Sequence, residues 1–281
     1  MTKQDLYETL KGIADNHRTI ITHSGTAHFD ELMGIAIILA VEKKRLGDNW
    51  DPPTIIRTRN EELIKAGDIL VDVGGENDPG NMRFDHHEDN ERSAFHMIAE
   101  HFFDHEFLTK IRCVHPWWDI MDKMDREGSD SLTVDDWKKV PLALVGAGLR
   151  GEYATRHFIQ PDDFRYKMLL QIGMNFIQGT IDVMNNIETM LEGFEYKKVK
   201  DYSIFITPER AKKDVFETLW RALGKRADIT VSQDAQGHYA IYSQDPAIDL
   251  YQLAQSDAKP RAQFAHAGGF LAVFDTMDKA E

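Results

Sequence analysis

The chain has 281 residues, 42% hydrophobic and 28% charged, enough to bury a core in one large or two ordinary domains. A formal net charge of −14 weighs against a protein that grips long duplexes by phosphate neutralisation, and favours small or single-stranded phosphorylated substrates. The single cysteine, Cys113, excludes an internal disulfide, and no run approaches the roughly 18 apolar residues of a membrane span, so the sequence predicts a cytoplasmic protein without a membrane segment.

In chain order, residues 4–15 read as an amphipathic helix with Leu6, Leu10 and Ile13 at helical spacing. A strand at 18–23 and a helix at 30–46 follow, and Asp51-Pro52-Pro53 breaks the chain before a second strand at 54–58. A short helix at 61–66 leads to a third strand at 68–73 with a Gly-Gly exit. Arg83-Phe84 then runs into Asp85-His86-His87, and Ser93 can cap a helix reaching about 104. This alternation predicts an α/β fold with a mostly parallel sheet and helices on both faces.

From 116 to 200 the pattern is helical, its last part, 163–199, one long or broken helix ending in Lys197-Lys198-Val199-Lys200. Beyond it come a strand at 202–206, a helix at 209–223, and strands at 229–232 and 239–242 joined by the turn 234–237. The expected organisation is a metal-binding catalytic domain over 1–185, a helical linker over 186–200 and a smaller α/β domain over 201–281.

The chemistry concentrates at strand ends. His23 follows Thr19-Ile20-Ile21-Thr22, Asp72 follows Asp68-Ile69-Leu70-Val71, and parallel sheets place ligands at such carboxyl ends. Gly25 lets the His23–His28 loop bend, so that His23, His28 and Asp30 can converge. Taken singly, Asp30 also reads as a helix N-cap and His23 as a hydrogen-bonded loop histidine. Asp72 is more telling, because an ionised carboxylate in an apolar strand is expensive unless paired or metal-bound. Adjacent His86 and His87 cannot point the same way, so one can bind metal while the other faces substrate as acid, base or donor. Imidazoles and carboxylates arriving together at one sheet edge predict a divalent-metal site, most simply for two ions. All-nitrogen and oxygen ligands suit Mn²⁺, with Mg²⁺, Co²⁺ or Zn²⁺ as alternatives.

The runs Thr22–Glu31, Asp68–Gly75 and Arg83–His87 resemble those of the melanocyte-proliferating-gene family, itself similar to the DHH phosphoesterases. That superfamily includes RecJ-type exonucleases, oligoribonucleases and manganese pyrophosphatases. The resemblance implies that His23 and His28 bind one metal, Asp30 and His86 a second, and that Asp72 bridges them. It further implies that Asp85 orients His86 and that His87 touches the scissile phosphate. A further Asp is expected downstream, with Asp122 and Asp125 as candidates, although Asp125-Arg126-Glu127-Gly128 departs from the family's Asp-Asn-Gly. Phe264–Phe270 resembles the family's C-terminal His-Ala-Ser-Gly-Phe element, implying a substrate-binding role for Arg261, His266, Gly268 and Gly269. Read on their own, those residues are equally an ordinary glycine turn beside a buried histidine.

The implied function is a metal-dependent 3′–5′ exonuclease on RNA or short single-stranded oligonucleotides. A small-molecule phosphohydrolase acting on a dinucleotide, cyclic dinucleotide or pyrophosphate is the first alternative, and an inactive binding protein the second. A homodimer is compatible with the sequence. Other features read as structural: His101 and His105 lack a third ligand, Trp117-Trp118 suits packing, the acidic stretch 125–136 fails the calcium-loop spacing, and Gly146 and Gly148 follow no strand.

Overall fold

Three short runs rich in β-branched residues are buried along their whole length: β1 (Thr19–Thr22), β2 (Thr54–Arg57) and β3 (Ile69–Val71). Only the middle of a sheet covered on both faces satisfies such strands. The computed structural model describes residues 2–88, 90–140, 147–210, 213–224, 226–234, 236–255 and 262–276. They fall into two compact units, residues 1–180 and 181–281.

In the first unit, α1 (Lys3–Asn16), α2 (Phe29–Leu46) and α3 (Glu61–Ala66) alternate with these strands. Two short strands follow, β4 (Asn77–Asp78) and β5 (Arg83–Phe84). Next come α4 (Ala94–Phe102), α5 (His105–Val114), α6 (Trp118–Glu127), α7 (Val134–Lys139), α8 (Ala147–Ala154), β6 (Phe158–Ile159) and the long α9 (Phe164–Glu192), whose residues from Ile181 onward belong to the second unit. The sheet order is β4-β5-β3-β1-β2-β6. Its four central strands run parallel, as the alternation predicts, and the added short strands β4 and β6 pair antiparallel at the two edges. From β1 the chain goes first to one neighbour, β2, and then back to the other, β3. The carboxyl ends of β1 and β3 therefore form a switch point, where open parallel sheets leave a crevice.

Strand alternation divides the core between two faces. Ile21, Ile56 and Leu70 pack with Leu10 of α1 and Leu63 of α3. Val71 faces α2, where a Cβ on Gly34 would stand 3.3 Å from its side chain and 2.7 Å from Ile98 of α4. α2 is apolar on nearly every side, with Leu32 through Ala40 all buried. A helix apolar all round belongs inside a domain.

The second unit contains β7 (Glu195–Val199), β8 (Tyr202–Arg210), α10 (Lys213–Leu223), β9 (Ile229–Gln233), β10 (Tyr239–Ser243), α11 (Leu250–Gln255), β11 (Phe264–Ala265) and β12 (Leu271–Phe274). Its sheet, β11-β12-β10-β9-β8-β7, is antiparallel except for the β8–β9 pair. Neighbours Phe205 and Ile206 on β8 point into separate cores, one with Phe216, Leu219 and Trp220, the other with Val231, Ile241 and Phe274. The helical reading of 163–199 is corrected here. α9 stops at Glu192, and residues 195–199 pair with β8 as an edge strand. Beyond the helix end Phe194 stacks on Phe205 at 5.3 Å, leading into the strand. Likewise β8 extends to Arg210, so the helix expected from 209 begins at Lys213. Among the described residues no helix is long and apolar enough to cross a membrane.

Two glycines of α9 give opposite expectations. A Cβ on Gly173 would lie 1.9 Å from the carbonyl oxygen of Ala36, in the middle of α2, whereas one on Gly179 meets nothing within 4 Å. Gly173→Ala should destabilise by about 1–3 kcal/mol or more through overpacking against backbone that cannot yield. Gly179→Ala should stabilise by about 0.5–1 kcal/mol through helix propensity. Urea denaturation of the two variants beside the parent checks both signs.

Candidate metal centre

The in-register ends of β1, β3 and β5 fix the site. Thr22 pairs with Val71 and Val71 with Phe84, so the next residues, His23, Asp72 and Asp85, emerge at the same level of the sheet. Asp72 adopts a left-handed backbone with φ 55°, followed by Gly74 and Gly75, also at positive φ. Asp is among the few residues that tolerate this conformation, and the turn brings its carboxylate back over the sheet end. Gly25, at φ 104°, makes the corresponding bend in the His23–His28 loop. The first turn of α2 adds Asp30 and Glu31, and α6 adds Asp125.

Three sets of ligand atoms result, each within 4.8 Å: His23, His28, Glu31 and Asp72; Asp72, His86 and His87; Asp30, His86 and Asp125. Asp72 is common to the first two, with Oδ2 3.2 Å from His23 Nε2 and Oδ1 3.5 Å from His86 Nε2. His86 Nε2 also lies 3.0 Å from Asp125 and 3.8 Å from Asp30. The outer ring nitrogens have their own partners: His23 Nδ1 stands 3.2 Å from Ser24 O, and His86 Nδ1 3.3 Å from Asn90 Oδ1. A proton held on each outer nitrogen leaves Nε2 to face the centre.

Two expected roles change. Asp122 is not among the converging ligands. Its Oδ1 accepts from the Ser93 N–H and hydroxyl, both at 2.8 Å, and its Oδ2 accepts from Arg126 at 3.0 Å. It anchors the start of α4, and Asp125, one turn on, reaches His86. The Ser93 hydroxyl expected to cap α4 is spent on Asp122, and Asp30 takes the free N–H groups of Ala94 and Phe95 at 3.1 and 2.8 Å. Asp85 serves His87 rather than His86. Its Oδ1 accepts from His87 Nδ1 at 2.5 Å, and its Oδ2 from the Gly75 N–H at 2.6 Å. In an extended segment residues two apart share a side, which joins Asp85 to His87 and sends His86 inward.

Glu31 and Arg57 form part of the site that the motifs did not single out. Glu31 is fully buried, accepts the His28 N–H at 2.7 Å, and lies 3.5 Å from His23 Nε2. Arg57, at the end of β2, donates to Glu31 at 3.2 Å and to the carbonyls of Tyr153 and Gly25 at 2.8 and 3.3 Å. The available signal was a second carboxylate beside Asp30 at the head of an apolar helix, and an arginine directly after the apolar pair Ile55-Ile56. In the second unit, His266–Gly269 form the turn between β11 and β12. The Gly268 N–H is already given to His266 Nδ1 and the Gly269 N–H to His266 O, so the expected amide cradle for a phosphate is not open. Arg261 lies outside the described residues.

The clustered carboxylates draw positive charge towards them. Burial and the neighbouring Asp125 and Asp72 push the Asp30 carboxyl well above its usual range. Burial opposes ionisation of Asp72, but the His23 and His86 rings outweigh it and hold its carboxyl low. For the same reason both rings rise against the effect of burial, His23 to about 10 and His86 to about 11. Asp72 Oδ1 and His23 Nε2 are buried, without a hydrogen-bond partner, and aimed at the middle of the cluster. Buried polar atoms left so are expensive, and a divalent ion taking nitrogen and oxygen donors would satisfy them. The residues fit such an ion.

Residues 19–110 match the MYG1 exonuclease family model, described as an uncharacterised protein family (UPF0160). The MYG1 protein of Saccharomyces cerevisiae is 42% identical over 240 residues, covering 81% of this chain and 67% of that protein. The MYG1 exonuclease of Bos taurus is 45% identical over 67 residues, 24% of this chain and 16% of the bovine protein, so the match spans a minor part of that relative's length. A solved DHH domain from a member of the s1p family of ribosomal proteins aligns at TM-score 0.30 and 11% identity, covering 96% of this chain and 85% of that one. The α/β assignment rests on this chain's own strand pairings.

The reassignment of Asp122 has a pH signature. Burial raises its carboxyl, but His96 and the Ser93 donors outweigh this and hold it below its usual 3.8. A carboxyl lowered on folding contributes stability in full above that usual value and loses it as pH falls through the lower folded one. Asp122→Asn should therefore cost about 1–3 kcal/mol at pH 7. Its deficit against the parent should shrink as the pH drops below about 3.8. Urea titrations across pH measure this, and Mn²⁺ content by mass spectrometry should be unchanged in Asp122→Asn yet reduced in Asp125→Asn.

Proposed function

This chain belongs to the MYG1 family, and on that footing we propose that it is a divalent-metal-dependent phosphoesterase, a 3′–5′ exonuclease on RNA or short single-stranded oligonucleotides. The observation that carries this reading is the convergence of three nitrogen/oxygen clusters, the first two sharing Asp72 and the last two sharing His86, with the exposed His87 a member of the middle one. His23, His28 and Asp72 would hold one ion, and Asp30, Asp72, His86 and Asp125 a second. Mn²⁺ is the first choice for both. Such ions supply polarisation of phosphoryl oxygens and activation of water for in-line attack.

The chain's own groups do the rest. Glu31, neutralised by Arg57, keeps the His28 end of the loop in place. Asp85 holds the Nδ1 proton of His87, which leaves Nε2 as the atom that gives a proton to the departing oxygen and supports the charged ring meanwhile. His87 can do this because its side chain is 63% exposed, unlike buried His86. His266, whose Nδ1 accepts from Gly268, keeps Nε2–H as a donor for a substrate phosphate in the second unit. The −14 charge keeps a second reading in view, hydrolysis of a dinucleotide or pyrophosphate. Asp125, 3.0 Å from His86, supports an active centre over an inactive binding protein.

Protein stripped and reloaded with Mn²⁺ should shorten a short RNA from its 3′ end. Turnover of pyrophosphate or dinucleotide alone would transfer the assignment to the small-molecule reading, and inertness on every substrate would remove the enzyme reading. Asp72→Asn keeps a residue tolerant of the left-handed backbone, and should abolish turnover while lowering metal content. His87→Ala should retain the metal and lose about 10²–10⁴ in kcat. Loss of metal in that variant would mean His87 is a ligand.

A further inference from the structure

Two arginines lie two residues apart at the carboxyl end of β2, and their circumstances are opposite. Arg57 is buried and committed to Glu31 and two carbonyls. Arg59 is exposed, and its described contacts are a bond from Nε to Ser24 O at 3.3 Å and a 3.5 Å approach of Nη2 to His23 Nδ1. No carboxylate pairs with Arg59 among the described residues, in a chain carrying an excess of 14 negative charges. A guanidinium has five donors in a planar fork, so most of this one's capacity remains unspent.

Its position is dictated by the sheet. Thr22 of β1 pairs with Arg57 of β2, and the Thr58 N–H continues the ladder to Thr22 O at 2.8 Å, which sets Arg59 beside Ser24 at the mouth of the centre. The backbone there is stiff. Thr58 Oγ1 accepts the Asn60 N–H at 3.1 Å, and Asn60 Oδ1 caps α3 through Glu62 and Leu63 at 3.0 and 3.1 Å. A long cationic side chain on a fixed stem, touching the outer nitrogen of a centre histidine, is prepared to meet an anion held on that side.

We propose that Arg59 is a substrate-binding residue that receives the non-bridging oxygens of a phosphate at the His23–His28 side of the centre. This deepens the phosphoesterase reading and rests on it for the identity of the substrate, but phosphate binding itself can be measured without turnover. Arg59 supplies the fixed positive charge that the carboxylate-rich centre lacks on its open side. The fork favours two parallel bonds, so lysine replaces it only in part.

The test uses Mn²⁺-loaded protein, Arg59→Ala and Arg59→Lys. Inorganic phosphate is titrated calorimetrically, and KM and kcat are measured on a short RNA. Arg59→Ala should weaken phosphate binding and raise KM by roughly ten- to a hundred-fold, with Arg59→Lys intermediate. Metal content and unfolding midpoint should match the parent in both variants. Phosphate affinity equal to the parent's in Arg59→Ala would overturn the proposal. So would loss of metal in both variants, which would make Arg59 a support for the His23 loop. A parent that binds phosphate through Arg59 yet cleaves no RNA would uphold this inference while removing the exonuclease reading.

Discussion

A closed circuit through Asp30 governs the first unit. Its carboxylate accepts two N–H groups at the start of α4 and faces His86. The residue just before those N–H groups, Ser93, is bound by Asp122 of α6. Asp125, on the same helix, returns to His86. Each link orders the next, so α2, α4, α6 and the Asp85–His87 segment cannot shift independently. The circuit is also why the centre can be buried: helix N-termini and imidazoles supply partial or full positive charge to carboxylates that water no longer reaches.

α2 makes the circuit rigid. It is enclosed by the sheet and α4 at Gly34 and by α9 at Gly173, with backbone nearly touching backbone. Such close packing transmits displacement rather than absorbing it. The loop glycines do the opposite work, giving His23 and Asp72 the bends that a straight exit from a strand would deny them.

The strand ends that carry the candidate ligands were legible because parallel strands that are buried on both faces announce themselves, and polar residues at their exits have few other reasons to be there. The same period of two could have assigned Asp85 to His87, since the two share a side. The choice between Asp122 and Asp125 was not legible, because residues three apart lie on one helical face and only the position of Ser93 separates their duties. Glu31 and Arg57 stood at the edges of apolar runs, but their pairing is a long-range contact between α2 and β2. The strand at 195–199 was hidden by lysines, which suit a helix end and an edge strand alike. The second unit's turn at His266 was legible as a turn, but His266 is exposed rather than buried and the turn's amides are internally satisfied.

The left-handed backbone of Asp72 leaves a mark on how this fold can diverge. Two demands meet at that residue, a short carboxylate and a left-handed backbone that Asp, Asn and Gly adopt most readily, although Met82 and Lys200 also hold it in this chain. A single base change in an Asp codon reaches Asn or Gly, either of which keeps the bend while removing the carboxylate, so the scaffold can outlast its central ligand at this position.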